Sequence, residues 1–206
     1  MEVLILNVSN WIGYHIADRL LQEGYVVKGM EGKESNHHLV DFFSRNSNFE
    51  LITSRADTVF PLAICPGEVL KRVECHYDQL IQINGKADPS ADGVAIHIPY
   101  LFGEWMPMTE EACCIGGNHV RFSSQEFLEE GVYIKDFLEF LLGFLESPSA
   151  SREIFVKSAR NQSLKGKKLE KTFLVDENIS IEENLNRVKE HFRKFQALYP
   201  AGEDST

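Results

Sequence analysis

A short apolar run followed by a turn and a helical pattern opens this chain, and no other feature constrains its fold as strongly. Residues 2–7 (EVLILN) form the run, and residues 8–10 are the turn. Gly24 ends the helical pattern, and a second apolar run at residues 25–30 (YVVKGM) leads to the acidic Glu31. This order predicts a strand, a helix and a second strand, which is the βαβ unit of a parallel α/β sheet. The side chains at helical spacing are Trp11, Ile12, His15, Ile16, Leu20 and Leu21.

A βαβ unit of this kind commonly binds a dinucleotide. The first turn exposes backbone N–H groups and a helix N-terminus to the pyrophosphate, and an acid at the end of the second strand accepts hydrogen bonds from the ribose hydroxyls. From Gly13 to Glu31 the chain advances 31 − 13 = 18 residues, close to the roughly 20 expected of such a site. The spacing therefore predicts a dinucleotide site with Glu31 at the ribose.

Residues 7–15 (NVSNWIGYH) resemble the GGxGFIGxH signature of the extended short-chain dehydrogenases/reductases. This is the NAD-dependent epimerase/dehydratase family, which acts on nucleotide sugars. In that register Asn7 and Asn10 replace the first two glycines, and Gly13 keeps the third. Asparagine tolerates positive φ better than other residues with a side chain, so we expect the turn to persist. Side chains at Asn7 and Asn10 would nevertheless stand where backbone usually approaches the phosphate closely.

The same resemblance implies a set of cofactor contacts. NAD is favoured over NADP because the carboxylate of Glu31 would repel a 2′-phosphate. Residues 57–64 (DTVFPLAI) resemble the family's DVVFHLAA strand, whose end lies beside the nicotinamide ribose. The implied cofactor-binding residues are Asn7, Ser9, Asn10, Trp11, Ile12, Gly13, Glu31, Leu62 and Ala63.

Further segments resemble this family in the same order along the chain. Residues 93–103 are similar to its RxxNVYGP segment, residues 131–136 (GVYIKD) to its YVDD element and the helix predicted from Ser180 to its SIxEL helix. The resemblance implies an α/β fold with a Rossmann-like doubly wound parallel sheet, shortened, and a small C-terminal α/β extension. We expect one domain over residues 1–206, with a dinucleotide-binding-type core at 1–103 and a short lobe at 104–206.

One connection in this order is unusually short. Residues 49–52 and 57–64 both read as strands, and only residues 53–56 separate them. Parallel neighbours need about a dozen residues to cross over. Either the chain is trimmed here or the two strands do not lie side by side.

Residues 68–83 repeat apolar side chains at helical spacing, which predicts an amphipathic helix. In the family such a helix carries YxxxK, in which the tyrosine transfers a proton and the lysine lowers its pKa. No tyrosine of this chain has lysine four residues on, and the candidate catalytic residues are Tyr77 and Lys71. They lie 77 − 71 = 6 residues apart, about 120° around a helix against about 40° for the family's pair. The pattern therefore predicts that the usual Tyr–Lys catalysis is lost, and it favours a helix that simply packs against the sheet.

These observations leave several functions open. We favour an atypical NAD(P)-binding Rossmann protein that lacks Tyr–Lys catalysis, in effect a pseudoenzyme. One alternative is an active NAD-dependent epimerase, dehydratase or reductase acting on a nucleotide sugar. Another is a non-catalytic accessory or regulatory subunit that acts through a protein partner, and the resemblance implies a homodimer. A different ligand in a cleft lined by residues 61–66 and 100–108 is the weakest alternative.

Composition narrows the possible partners. The 206 residues are 43% hydrophobic, with a net charge of −10 and a pI near 5.2, which disfavours nucleic acid because phosphate binding needs a positive face. No apolar run approaches the roughly 18 residues of a membrane span, so we expect a cytoplasmic protein without membrane contact. The four cysteines form no CxxC pair, and no metal site is predicted.

Overall fold

A computed structural model describes residues 1–32, 36–52, 55–67, 74–85, 93–115, 117–148, 151–161 and 171–200. Two compact units emerge from it. The first comprises residues 1–97 and 149–154, and the second comprises residues 98–148 and 155–206. The expectation of one domain with a boundary near residue 103 stays a prediction.

The first unit is built on parallel strands. Their order is β6-β5-β4-β1-β2-β3, and the start of a further strand, β11 (Glu153–Ser158), follows β6, where the Ala95 N–H donates to the Arg152 carbonyl at 2.9 Å. From β1 the chain first adds β2 and β3 on one side and then β4, β5 and β6 on the other. This reversal is the doubly wound arrangement, and it confirms the predicted fold class. The bounds are β1 Glu2–Leu6, β2 Val26–Met30, β3 Phe49–Leu51, β4 Arg55–Pro66, β5 Glu74–Ile83 and β6 Gly93–His97.

Two helices accompany the first strands. Helix α1 (Trp11–Gln22) follows the predicted pattern and ends before Gly24, which has the positive φ (80°) of a helix terminator. The short helix α2 comprises His37–Asp41. Tyr14 of α1 stacks on Phe43, just after α2, with ring centroids 5.2 Å apart. This aromatic contact holds α2 beside α1 and therefore beside the end of β2.

The order of the strands decides between the two alternatives left open by the short connection at residues 53–56. Strand β3 pairs with β2, whereas β4 pairs with β1. The two segments do not lie side by side, so no crossover between neighbours is needed there.

The helix predicted over residues 68–83 is wrong for the described part of that segment. Residues 74–83 form strand β5, which pairs in parallel with β4 on one side and β6 on the other. Residues 80–83 (LIQI) are all buried, as in a central strand that is covered on both faces. Residues 68–73, with Lys71 among them, lie outside the described residues.

The second unit contains three helices among its described residues: α3 (Gln125–Glu130), α4 (Ile134–Glu146) and α5 (Ile181–Phe195). The predicted cap of the last helix is confirmed, since Ser180 Oγ accepts from the Glu183 N–H at 3.2 Å. Helix α3 and a two-stranded antiparallel ribbon arise in a region without a predicted element. The strand pairs are β7 (Leu101–Phe102) with β10 (Val132–Tyr133), β8 (Ala112–Ile115) with β9 (Asn118–Arg121), and β11 with β12 (Thr172–Val175).

Among the described residues, no helix combines the length and apolar character needed to cross a membrane.

Candidate functional site

The turn after β1, residues 7–10, has the backbone shape of a glycine-rich turn although two glycines are missing. Asn7 has φ 59°, which confirms that asparagine preserves the left-handed turn. The Asn10 N–H donates to the Asn7 carbonyl at 2.9 Å. A Cβ on Gly13 would stand only 2.4 Å from that carbonyl oxygen, so α1 packs on the turn as closely as it does only because Gly13 has no side chain.

The side chain of Asn7 lies across the carboxyl end of β1. Its Nδ2 donates to the Pro66 carbonyl at the end of β4, at 2.9 Å. On the other side, a Cβ on Gly32 would lie 2.3 Å from Asn7 Oδ1, so the amide rests directly against Gly32. A glycine at position 7 would leave this volume empty. The asparagine therefore fills part of the space above β1.

The side chain of Asn10 caps helix α1. Its Oδ1 accepts from the Ile12 N–H at 2.9 Å, and its backbone is extended, as at other helix N-caps. The first N–H groups of a helix have no partner within the helix and are the donors that bind a phosphate. At α1 one of these donors is already satisfied by the protein.

Glu31 lies at the end of β2, next to this turn. Its Oε1 is 2.6 Å from Nδ1 of His37, and the Glu31 side chain is 33% exposed. Two backbone bonds join the region together, because the Val8 N–H donates to Met30 O (2.9 Å) and the Asn36 N–H donates to Ser9 O (3.1 Å). The structure thus brings the turn, Gly13 and Glu31 to one edge of the sheet.

Three further predicted residues belong to the same turn. Ser9 is fully buried, and its Oγ has no hydrogen-bond partner within the described part of the chain. Ile12 is buried under the helix, and Trp11 is half-buried, with its ring edge-on to His15 at 6.3 Å. Ser9 belongs to the turn, and Trp11 and Ile12 form the start of α1.

Leu62 and Ala63 lie in the middle of the sheet, further from its carboxyl edge than expected of residues that contact a cofactor there. Both are buried in β4, and Ala63 is level with Leu4 in the middle of β1. Strand β4 continues to Pro66, three residues beyond Ala63 and about 10 Å further along the strand. Cys65 and Pro66 are therefore the residues of β4 that border the turn.

Tyr77 is remote from this edge. It is level with Phe60, whereas Gln82 is level with Cys65 at the end of β4. The 82 − 77 = 5 residues between Tyr77 and Gln82 correspond to about 16 Å along the strand. The side chain is half-buried in a cluster that includes Phe60. A proton-transfer group at Tyr77 would not reach a ligand at the carboxyl edge of β1.

Three contributors to the site, His37, Gly32 and Pro66, are absent from the predicted cofactor-binding residues, although residues 61–66 were expected to line a cleft. His37 has no role in the sequence-based prediction, although its Nδ1 contacts Glu31. The contact depends on the path of residues 32–36, which sequence does not fix. Gly32 directly after an acid at a strand end was the one available signal, since glycine allows a close neighbour.

Little charge lies at the turn apart from Glu31. Burial raises the pKa of the Cys65 thiol to about 12, so it is a neutral group beneath Asn7, with its Sγ 3.9 Å from Asn7 Nδ2. Residues 7–18 contain no lysine or arginine. Across the described ranges, no cluster of three or more His, Cys, Asp or Glu side chains is arranged to hold a metal ion.

The second unit has buried polar groups of its own. Tyr133 donates its hydroxyl to Glu104 Oε1 at 2.8 Å, and burial raises the pKa of this phenol, which keeps it protonated. Asp136 is buried at the start of α4, where Asn178 Nδ2 donates to its Oδ1 at 3.2 Å, and burial raises the pKa of this carboxyl. These groups belong to the second unit and lie apart from the predicted cofactor residues in the sequence.

No protein-family description matches this sequence, and no curated protein matches it. Solved structures do. The dTDP-glucose 4,6-dehydratase from Bacillus anthracis in complex with NAD is 9% identical, with a TM-score of 0.62 and coverage of 97% of this chain and 98% of the other.

Two further structures show the same likeness. The yeast methylglyoxal/isovaleraldehyde reductase Gre2 complexed with NADPH is 13% identical, with a TM-score of 0.55 and coverage of 96% and 100%. The UDP-glucose 4-epimerase from Thermotoga maritima with UDP-glucose is 12% identical, with a TM-score of 0.56 and coverage of 95% and 100%. At these identities the likeness shows the shared fold, and it confirms the Rossmann-like architecture expected from the sequence.

Proposed function

We propose that this chain is an atypical nicotinamide-dinucleotide-binding protein of the epimerase, dehydratase and reductase type that does not use Tyr–Lys catalysis. The observation that carries the proposal is the left-handed turn at Asn7, packed on Gly13, with Glu31 on the neighbouring strand. This edge is where the strand order reverses, and ligands of doubly wound sheets bind at such a reversal. Solved proteins that share the fold include a dehydratase in complex with NAD and a reductase complexed with NADPH.

The adenosine half of such a cofactor fits the residues present. Glu31 is half-exposed at the end of β2, where a carboxylate accepts hydrogen bonds from the ribose 2′- and 3′-hydroxyls. The same negative charge disfavours the 2′-phosphate of NADP, so NAD is the preferred form. His37 must give up or share its contact with Glu31 when a ribose binds.

The pyrophosphate fits less well. Asn7 occupies space above β1, and Asn10 occupies a donor at the start of α1. We therefore assign adenosine recognition to this edge and derive no hydride-transfer step through the nicotinamide. The position of Tyr77, about 16 Å from the edge at roughly 3.3 Å per residue, supports a protein without the usual acid/base pair. The sequence-based alternatives, an active enzyme on a nucleotide sugar and an accessory subunit or homodimer, stay predictions.

Calorimetric titration of the purified protein with NAD and, in parallel, NADP tests this proposal. We expect saturable binding of NAD and at least about tenfold weaker binding of NADP. Glu31→Ala should weaken NAD about tenfold, because a hydrogen bond to a charged group contributes about 1.5–3 kcal/mol.

Glu50→Ala is the matched control. Glu50 is an exposed acid on β3 that pairs with Lys28 at 2.5 Å, on the same unit but away from the turn. Its removal should leave NAD affinity unchanged. The absence of heat with either cofactor from a folded sample, or equal effects of the two substitutions, would contradict the proposal.

A further inference from the structure

We propose that Asn10 is a specificity-determining residue that closes the N-terminus of α1 to diphosphates, so that the site recognises adenosine and gains little from the groups beyond it. This inference rests on the proposed function and names the part of the ligand that the site uses. It commits the site to an adenine nucleoside as the recognised group.

The N–H donors at the start of α1 are partly occupied by the protein itself. A diphosphate at this edge would take its hydrogen bonds from the free N–H groups at the start of α1. Asn10 Oδ1 already accepts from the Ile12 N–H at 2.9 Å. A phosphate oxygen must displace this cap before it gains the same bond, so the exchange yields little net affinity.

The Asn7 side chain occupies space beside the turn. Asn7 is held at both ends, because its Nδ2 donates to the Pro66 carbonyl at 2.9 Å and its Oδ1 abuts Gly32. This side chain cannot turn away without losing the bond to β4. The backbone of the turn is therefore shielded where a glycine would allow close approach.

The charges near the turn also disfavour a diphosphate. Residues 7–18 offer no lysine or arginine to a phosphate, and Glu31 adds a negative charge at the same edge. Within residues 7–18 only the helix dipole attracts an anion, and an N-cap side chain already satisfies one of the donors that carry it. A diphosphate with two negative charges meets few compensating groups, whereas neutral adenosine needs none.

An ordinary cap is the simpler explanation of Asn10, since Ser124 and Ser180 cap α3 and α5 in the same way. Only the cap of α1 coincides with a glycine position of the resembled signature and with the reversal of the strand order. The two explanations differ in what happens to ligand affinity when the cap is removed.

The test compares adenosine with ADP-ribose, which adds the diphosphate and a second ribose, by calorimetry. In the wild-type protein we expect the two dissociation constants to agree within about threefold. Asn10→Gly should tighten ADP-ribose about tenfold and leave adenosine unchanged, because the Ile12 N–H becomes free for phosphate. Glycine is nearly as good an N-cap as asparagine, so the fold should persist, and circular dichroism checks it.

Two control variants sharpen the comparison. Asn10→Ser keeps a capping oxygen, so its affinities should match the wild type. Ser180→Gly removes the cap of α5 in the second unit and should change neither ligand's affinity. The double variant Asn7→Gly/Asn10→Gly should tighten ADP-ribose further than Asn10→Gly alone.

Three results would overturn the inference. If wild-type protein binds ADP-ribose a hundredfold more tightly than adenosine and Asn10→Gly changes nothing, the inference fails while the proposed function stands. If Asn10→Gly weakens ADP-ribose, the amide binds phosphate instead of excluding it. If neither ligand binds to wild type or variants, the proposed function fails together with the inference.

Discussion

Strands β1 and β4 are neighbours in one sheet, yet their surroundings differ. Residues 3–6 of β1 are 0–1% exposed and residues 62–65 of β4 are 0–5% exposed, whereas Val59 near the start of β4 is 54% exposed. Residues 7–25 separate β1 from β2 and include the 12-residue helix α1, whereas only residues 67–73 separate β4 from β5. Seven residues are too few for a helix of that length.

This difference shows on which side of the sheet the residues of the candidate site lie. On the β1 side the crossover helix covers the sheet and also brings its N-terminus to the turn. On the β4 side the strands pair with each other, but the segment expected to carry catalytic residues has become strand β5. The predicted cofactor residues on the first side therefore meet at one edge of the sheet, whereas Tyr77 on the second side lies in a strand and Lys71 lies outside the described residues.

Truncation of the covered strand should have the largest effect. Ile5 is fully buried and level with Ile64, so Ile5→Ala should lower the free energy of unfolding by about 2–5 kcal/mol. Val59→Ala should cost less than about 1 kcal/mol because that side chain is mostly in solvent. Urea unfolding followed by circular dichroism measures both. Equal losses would mean that the start of β4 is covered as well, and the comparison would fail.

Substitution of Asn7 should have the next largest effect on stability. Two variants together separate the contribution of the left-handed backbone from that of the side chain. Asn7→Ala loses the bond to Pro66 and places alanine at φ 59°, for a combined loss of about 2–3 kcal/mol. Asn7→Gly loses only the bond, about 1 kcal/mol. If the two variants unfold at the same urea concentration, the left-handed backbone contributes nothing at this position.

The fold could be predicted best where the spacing of apolar residues fits only one type of secondary structure. The pattern from Trp11 to Leu21 fits a helix and nothing else, and the positive φ of Asn7 followed from the chemistry of asparagine. Residues 74–83 were different, since Tyr77, Leu80 and Ile81 fit helical spacing while LIQI fits a central strand. Pairing with β4 and β6 decided the outcome, and a single sequence does not reveal such partners.

The ribbon of the second unit, by contrast, carried a signal that was overlooked. Two glycines, Gly116 and Gly117, separate ACCI from NHVR in the sequence, which is typical of a hairpin. The Glu31–His37 contact carried no such signal, because it depends on the path of the intervening loop.

The stability of the second unit should depend on pH through its buried acid, Asp136. Burial raises the pKa of Asp136 in the folded protein. Its contribution to stability is therefore fully present below the unfolded-state pKa and is lost as pH rises through the folded-state pKa. Asp136→Asn should raise the melting temperature at pH 7 and leave it nearly unchanged at pH 4. Exposed Asp176→Asn is the control, and a shift equal to that of Asp136→Asn would contradict the prediction.

The smallest expected effect is a difference in the rates at which individual thiols are modified. Burial raises the pKa of Cys65 to about 12, so only about one thiol in ten thousand is ionised at pH 8. Iodoacetamide should therefore modify Cys65 more slowly than Cys75 of β5, and half-buried Cys114 fastest, as followed by peptide mass spectrometry. Faster labelling of Cys65 than of Cys75 would mean that the end of β4 opens readily.

The most direct test of a nucleotide site at the carboxyl edge of β1 and β2 is an NMR titration of ¹⁵N-labelled protein with NAD. The account predicts that amide signals of residues 7–13, of Glu31 and Gly32 and of residues 36–37 shift together as NAD is added, while those of helix α5 stay in place. Shifts confined to the second unit, or no shifts at all at millimolar NAD, would contradict it.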